Sequence, residues 1–188
     1  MKKLAISVAL CTLFGTSFAS HASLTASADG KTVYDSDLHL TWLADANYSK
    51  TSGYHTTGSM SWGAAGDWAS NLNVEGRSDW QLPTIDQLSH LYQGIGGSLG
   101  QSISGNHNLF YDLFSNIQDR YWSSTVDLNN SSKALGLYFE GTGLSGYSFN
   151  ADKGLGHFAM AVSAVPEPET YAMLLAGLGL LGWKLRRT

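Results

Sequence analysis

Asp79-Trp80-Gln81-Leu82-Pro83-Thr84-Ile85-Asp86-Gln87-Leu88 is the stretch from which the rest of the chain can be read. Thr84 followed three residues later by Gln87 makes a capping box, in which each side chain satisfies a free backbone N–H of the other at a helix start. Ile85, Leu88, Leu91 and Tyr92 then fall at helical spacing and predict the buried stripe of a helix. Upstream, Ser61 can cap a second helix running from Trp62 to about Leu72. Trp62, Ala65, Trp68, Ala69 and Leu72 lie on one side of it.

The segments further out are strands and loops. Leu38, Leu40 and Trp42 alternate with His39 and Thr41, which is strand periodicity. Residues 44–60 are rich in Ser, Thr, Gly, Asn and Tyr and read as a loop with few apolar anchors. Residues 94–105 form a glycine- and serine-rich loop. Leu109, Phe110, Leu113, Phe114 and Ile117 predict a short amphipathic helix. Arg120 to Thr125 reads as a strand leading to a polar turn at residues 127–133. Residues 134–139, 146–149 and 157–165 read as late strands separated by glycine turns. Residues 23–31 are small and polar, and a flexible lead-in is expected there.

Both ends differ from this middle. Met1-Lys2-Lys3 precedes an apolar run to Phe18, and Ser20-His21-Ala22 offers a small-x-small cleavage site before Ser23. Ser17-Phe18-Ala19 is an alternative site. Residues 1–22 are therefore expected to be a signal peptide, cut between Ala22 and Ser23. Cys11 lies mid-run behind Leu10, which does not suit a lipoprotein. At the other end stands Pro166-Glu167-Pro168, stiff because each proline fixes its own φ and restricts its predecessor. An uncharged apolar run from Tyr171 follows, and the chain closes on Lys184, Arg186 and Arg187. As a helix, residues 171–185 would rise roughly 22 Å. Trp183 and the terminal cations can extend that reach to the interfaces of a ~30 Å hydrocarbon core. Three glycines in the run would each cost roughly 1 kcal/mol in a soluble helix, so a membrane helix is expected.

Removing both ends leaves one ordinary domain. Residues 24–165 carry six Lys and Arg against thirteen Asp and Glu, a net charge of −7. Such a domain repels nucleic acid and does not hold anionic polysaccharide by charge alone. Once Cys11 is lost the mature chain has no cysteine, hence neither disulfides nor thiol chemistry.

Candidate chemistry is sparse. Gly96-Gly97-Ser98-Leu99-Gly100 fits the hydrolase pattern G-x-S-x-G, which needs a strand before it and a helix after it. Here the serine lies in a glycine-rich loop, so a secreted serine hydrolase is the weakest of the readings. His39, His55, His90, His107 and His157 show no zinc-binding spacing. Asp35 and Asp37 with Asp45, or Asp127 with Asn129 and Asn130, could offer oxygens to calcium. Turn formation is the preferred role for both sets, and no cofactor is expected. Most of Trp42, Trp62, Trp68, Trp80 and Trp122 lie on apolar faces, and core packing is the preferred role for each. The loop tyrosines Tyr48, Tyr54 and Tyr147 remain as candidates for stacking against sugar rings.

Two resemblances add to these readings. The tripeptide, apolar helix and basic tail of residues 166–188 resemble the PEP-CTERM sorting signal, the tag carried by exosortase substrates. This implies export through the general secretion machinery and signal peptidase, transient anchoring in the inner membrane, and cleavage near Pro166, Glu167 and Pro168. Release or attachment at the cell surface would follow. Trp42, Trp62, the Asp79–Thr84 motif with Gln87-Leu88, and Tyr121-Trp122-Ser123-Ser124-Thr125 resemble the Lcl C-terminal domain family over residues 32–165. Gln81 stands where that family has arginine, and Gln87 where it has glutamate, so a role for that pair does not transfer. The resemblance implies a single compact α+β domain of short antiparallel strands with two main helices, related to the C-type lectin and formylglycine-generating-enzyme type. It also implies extracellular binding, with sugars such as glycosaminoglycans bound by some members. The expectation is a non-enzymatic, exported protein that binds surface polysaccharide or protein. A structural biofilm-matrix protein without a defined ligand is the alternative.

Overall fold

Apolar and polar residues alternate in the short segments, and the segments pair as strands. In a computed structural model of the chain, the described residues are 24–141 and 143–165. In chain order the strands are β1 (Leu24–Ala26), β2 (Thr32–Asp35), β3 (Leu40–Leu43), β4 (Arg120–Val126), β5 (Lys133–Tyr138), β6 (Ser148–Asp152) and β7 (Val162–Ala164). The helices are α1 (Tyr48–Thr51), α2 (Trp62–Ser70) and α3 (Ile85–Gly94). The strands form two antiparallel sheets, ordered β1-β2-β3-β7 and β4-β5-β6. The class is α+β. Among the described residues no helix is long and apolar enough to cross a membrane. Residues 1–23 and 166–188 lie outside the described set. They include the predicted cleavage site at Ala22 and Ser23, the Pro166-Glu167-Pro168 motif and the helix expected at residues 171–185.

The quoted motif performs as its chemistry dictates. Thr84 Oγ1 accepts from the Gln87 N–H at 3.2 Å, and Gln87 Oε1 accepts from the Thr84 N–H at 2.8 Å. Just before the cap, Trp80 and Leu82 turn inward while Gln81 faces out. The Gln81 backbone exchanges both hydrogen bonds with Val162, joining this segment to β7. Position 81 therefore owes its place to the main chain, and the exposed glutamine side chain leaves the packing intact. Ser61 caps α2 by accepting from the Ala64 N–H.

The two sheets are joined by residues 157–164. His157 pairs with Met60, Phe158 lies parallel to Tyr121, and β7 then completes the first sheet. Trp122 ties this junction down, since its indole N–H donates to the Met60 carbonyl at 3.0 Å. One apolar cluster lies between the first sheet and α3 and contains Trp42, Leu88, Tyr92 and Tyr121. A second contains Trp68, Trp80 and Trp122 beneath α2. Trp42, Trp68, Trp80 and Trp122 are buried as expected, and Trp62 is half-buried with Lys153 Nζ 4.3 Å from its ring centre.

Several segments differ from expectation, the strand read at residues 146–149 being Ser148–Asp152 and the one read from Leu38 starting only at Leu40. The flexible lead-in at residues 23–31 instead contains β1, because Leu24 enters the core and its strand pairs with β2. The loop at residues 44–60 contains the single turn α1, which packs Tyr48 against the second cluster. The amphipathic helix expected from Leu109 is a 3-10 segment, Leu109–Leu113, and a left-handed Asn116 follows at φ 55°. Only Val162–Ala164 of the strand expected at residues 157–165 is regular, since His157 and Phe158 turn to pair with other partners.

Candidate binding site

The first sheet has two chemically distinct faces. Val33, Leu40, Trp42 and Val162 point into the core. The register places Thr25, Tyr34, Thr41 and Ser163 side by side in one cross-strand row. Strand side chains alternate, so this row belongs to the opposite face. There the surface sinks into a cleft of about 490 Å³ bounded by Tyr34, Thr41, Glu75, Arg77 and Val165.

The loop after α2 delivers the charged groups. Val74 and Arg77 exchange backbone hydrogen bonds and close a tight turn, which holds Glu75 and Arg77 over the sheet. Arg77 Nη1 donates to Ser163 Oγ at 3.3 Å, and Ser163 Oγ donates to Asp79 Oδ1 at 2.7 Å. Thr32 Oγ1 donates to Glu75 Oε2 at 2.9 Å. Tyr34 Oη lies 3.2 Å from His39 Nδ1. The cleft thus presents one aromatic ring, a guanidinium, a carboxylate and the exposed Thr25 hydroxyl, while Thr32 and Thr41 are buried at its floor. This combination can stack against the apolar face of a sugar ring and hydrogen-bond its hydroxyls.

A second depression, of about 280 Å³, is lined by Lys31, Asp45 and Tyr48 among others. Lys31 Nζ pairs with Asp29 at 2.9 Å on the surface. The Lys31 ammonium holds the Asp29 carboxyl well below its ordinary range, and Asp29 in turn raises the pKa of Lys31.

Of the three tyrosines singled out from sequence, Tyr48 is half-buried and lines this second depression. Tyr54 lies just beyond α1 and is about half exposed, at 53%. Tyr147 stands in the β5–β6 connection of the other sheet, exposed by 49%. They therefore occupy separate elements. The acidic sets hold turns. Asp35 Oδ1 accepts from the Asp37 and Leu38 N–H groups, and Asp45 Oδ1 from the Asn47 N–H. Asp127 accepts from the Asn129 N–H and the Asn150 amide, which hold its carboxyl below the ordinary range. Among the described residues no group of three or more His, Cys, Asp or Glu is placed to hold a metal. Ser98 lies in the loop after α3, where its carbonyl accepts from the Tyr92 hydroxyl at 3.1 Å. Its segment leads into the 3-10 turn Ile103–Gly105, not an α-helix.

Sequence reasoning missed Tyr34, Glu75 and Arg77. The available signal was the polar Thr32 and Tyr34 flanking the apolar Val33, an alternation that sets Tyr34 on the face away from Val33.

Comparison with protein families gives two matches. The model described as Lcl C-terminal domain matches residues 31–163. The PEP-CTERM protein-sorting motif matches residues 164–187. No curated protein matches the chain.

Proposed function

The chain belongs to the Lcl C-terminal domain family and ends in a PEP-CTERM sorting motif, and from that premise we propose that it displays a non-catalytic module binding surface polysaccharide. The motif marks an exported protein processed by an exosortase. In this reading the signal peptide delivers the chain to the general secretion machinery, and signal peptidase cuts after Ala22. The apolar tail halts in the inner membrane, and the exosortase cleaves near Pro166-Glu167-Pro168. The domain then reaches the cell surface or the surrounding matrix as a lectin-like binder.

The observation that carries the binding reading is the sheet-face cleft. Tyr34 supplies a platform, while Arg77, Glu75 and the exposed Thr25 hydroxyl supply directional hydrogen bonds. Arg77 already donates to the Ser163 hydroxyl, so ligand binding would not begin from a disordered cation. A neutral glycan suits the cleft because charge attraction is not needed.

Calorimetry of the full chain in detergent, titrated with the producing cell's own extracellular polysaccharide, tests this. Binding is expected, and Tyr34→Ala is expected to weaken it about tenfold, the equivalent of one lost stacking contact. Arg77→Gln is expected to act in the same direction. Absence of binding by the wild type would reject the proposal and leave the structural-matrix role. Parallel Tyr54→Ala and Tyr147→Ala variants measure whether the two exposed tyrosines also contribute.

A further inference from the structure

The sorting motif starts inside the folded domain. It begins at residue 164, which is also the last residue of β7. Ala164 pairs with Leu40 across the sheet, and the Val165 N–H donates to the His39 carbonyl at 3.0 Å. Hydrogen bonds therefore hold the chain up to the residue before Pro166-Glu167-Pro168. The point of exit lies on the sheet-face cleft, since Val165 lines it together with Tyr34, Thr41 and Arg77. His39 is exposed at the same point, with Nδ1 3.2 Å from the Tyr34 hydroxyl. Chain length then limits where a processing enzyme can stand. Pro168 lies three residues beyond Val165, no more than about 11 Å away at full extension. The apolar run opens at Tyr171, six residues on and no more than about 21 Å away. One helix with its side chains is about 10–12 Å across, so two packed helices already fill that gap. An enzyme that closes around a bond near the tripeptide therefore touches the domain surface beside Val165.

We infer that the face around Val165, carrying Tyr34, His39 and Arg77, is a docking surface for the exosortase and a second recognition element beside the tripeptide. This rests on the processing reading above, not on the glycan reading. Two features favour recognition over mere obstruction. The face offers tyrosine and arginine, side chains enriched among the anchors of protein interfaces. Arg77 is already oriented by its bond to Ser163, so less side-chain freedom is lost when a partner settles on it. A domain that was only cargo would be served by a spacer ahead of the motif, whereas Pro166 directly follows the bonded Val165.

The test follows loss of an epitope tag at Thr188 in a pulse-chase of the full chain in the producing cells. Tyr34→Ala combined with Arg77→Gln is expected to slow that loss about tenfold. Leu128→Ala, at the fully exposed tip between β4 and β5, is expected to process like wild type. A flexible spacer of about eight Gly and Ser residues between Val165 and Pro166 alters no side chain of the domain and moves the face away from the bond to be cut. The spacer is expected to slow processing to the same extent. In the chain with the spacer, Tyr34→Ala with Arg77→Gln is expected to add nothing further, because the contact is already lost. Processing of the spacer chain as fast as wild type, or faster, would overturn the docking surface while leaving exosortase processing intact. So would a double variant whose domain resists protease like wild type and whose tag is lost at the wild-type rate. A wild-type chain that keeps its tag would overturn the processing reading and the docking surface together.

Discussion

Replacing His157 with leucine is expected to stabilise the protein and to remove part of its sensitivity to acid. His157 is buried at 7% exposure, with its ring 4.4 Å from Trp122 and 4.7 Å from Phe149 between centroids. Neither ring nitrogen hydrogen-bonds to another described residue. The backbone of residue 157 does the structural work, exchanging hydrogen bonds with Met60, and leucine keeps those. A buried polar group without a partner costs about 1–3 kcal/mol. Against that stand the ring contacts, worth about 0.5–1.5 kcal/mol. The net expectation for His157→Leu is a gain of about 1 kcal/mol at pH 7.5, or about 3–5 °C in Tm for a domain of this size. The pH dependence has a definite sign. Burial, and then the positive charge of Arg120, push the imidazole below its ordinary pKa, with Asp119 opposing weakly. Below about pH 6.5 the unfolded chain binds a proton at this position that the native chain refuses. Wild-type stability therefore falls through this residue by up to about 1.4 kcal/mol per pH unit, until the native pKa is passed. Denaturant titrations of wild type and variant from pH 8 to pH 5 read both effects. A variant less stable than wild type at pH 7.5, or one with the full wild-type acid slope, would refute the reasoning.

Two further substitutions probe the scaffold. Gly136→Ala places a methyl 2.2 Å from the Phe149 ring and 2.4 Å from the Tyr121 carbonyl; the carbonyl belongs to the β4 ladder and cannot move cheaply, so a loss of about 2–3 kcal/mol is expected in denaturant melts. Thr84→Ala removes the acceptor of the Gln87 N–H and is expected to cost about 1 kcal/mol, while the same change at exposed Thr25, which caps no helix, is expected to stay within about 0.5 kcal/mol.

What could be read from the chain depended on how local each cause was. The capping box at Thr84 and Gln87 was legible because both partners sit within one helical turn. The tryptophans were legible as core because their neighbours repeat at helical or strand spacing. β1 was not, since Leu24 is its single buried anchor and its partner Asp35 comes only after a turn. The 3-10 segment at Leu109–Leu113 carries an apolar pattern that a short helix would also show, and backbone geometry decides between them. The candidate site was the least legible part. It depends on Tyr34, Thr41 and Ser163 meeting across three strands, and on Arg77 reaching a hydroxyl 86 positions away. No spacing rule connects those residues. The tyrosines that looked available in loops proved to be dispersed, with Tyr48 half-buried against the second apolar cluster. The C-terminal sorting motif was legible for a different reason, because its order of tripeptide, apolar run and basic end is itself the message.

The central claim is that this domain is exported, freed of its tail and put to use outside the cell. Placing one epitope tag after Ser23 and another at Thr188, then fractionating growing cells, tests it most directly. The account predicts that the first tag appears at the surface or in the medium on a chain that has lost the second, and that deleting the exosortase leaves both tags together in the inner membrane. Recovery of the doubly tagged, full-length chain from the cytosol of unmodified cells would contradict it.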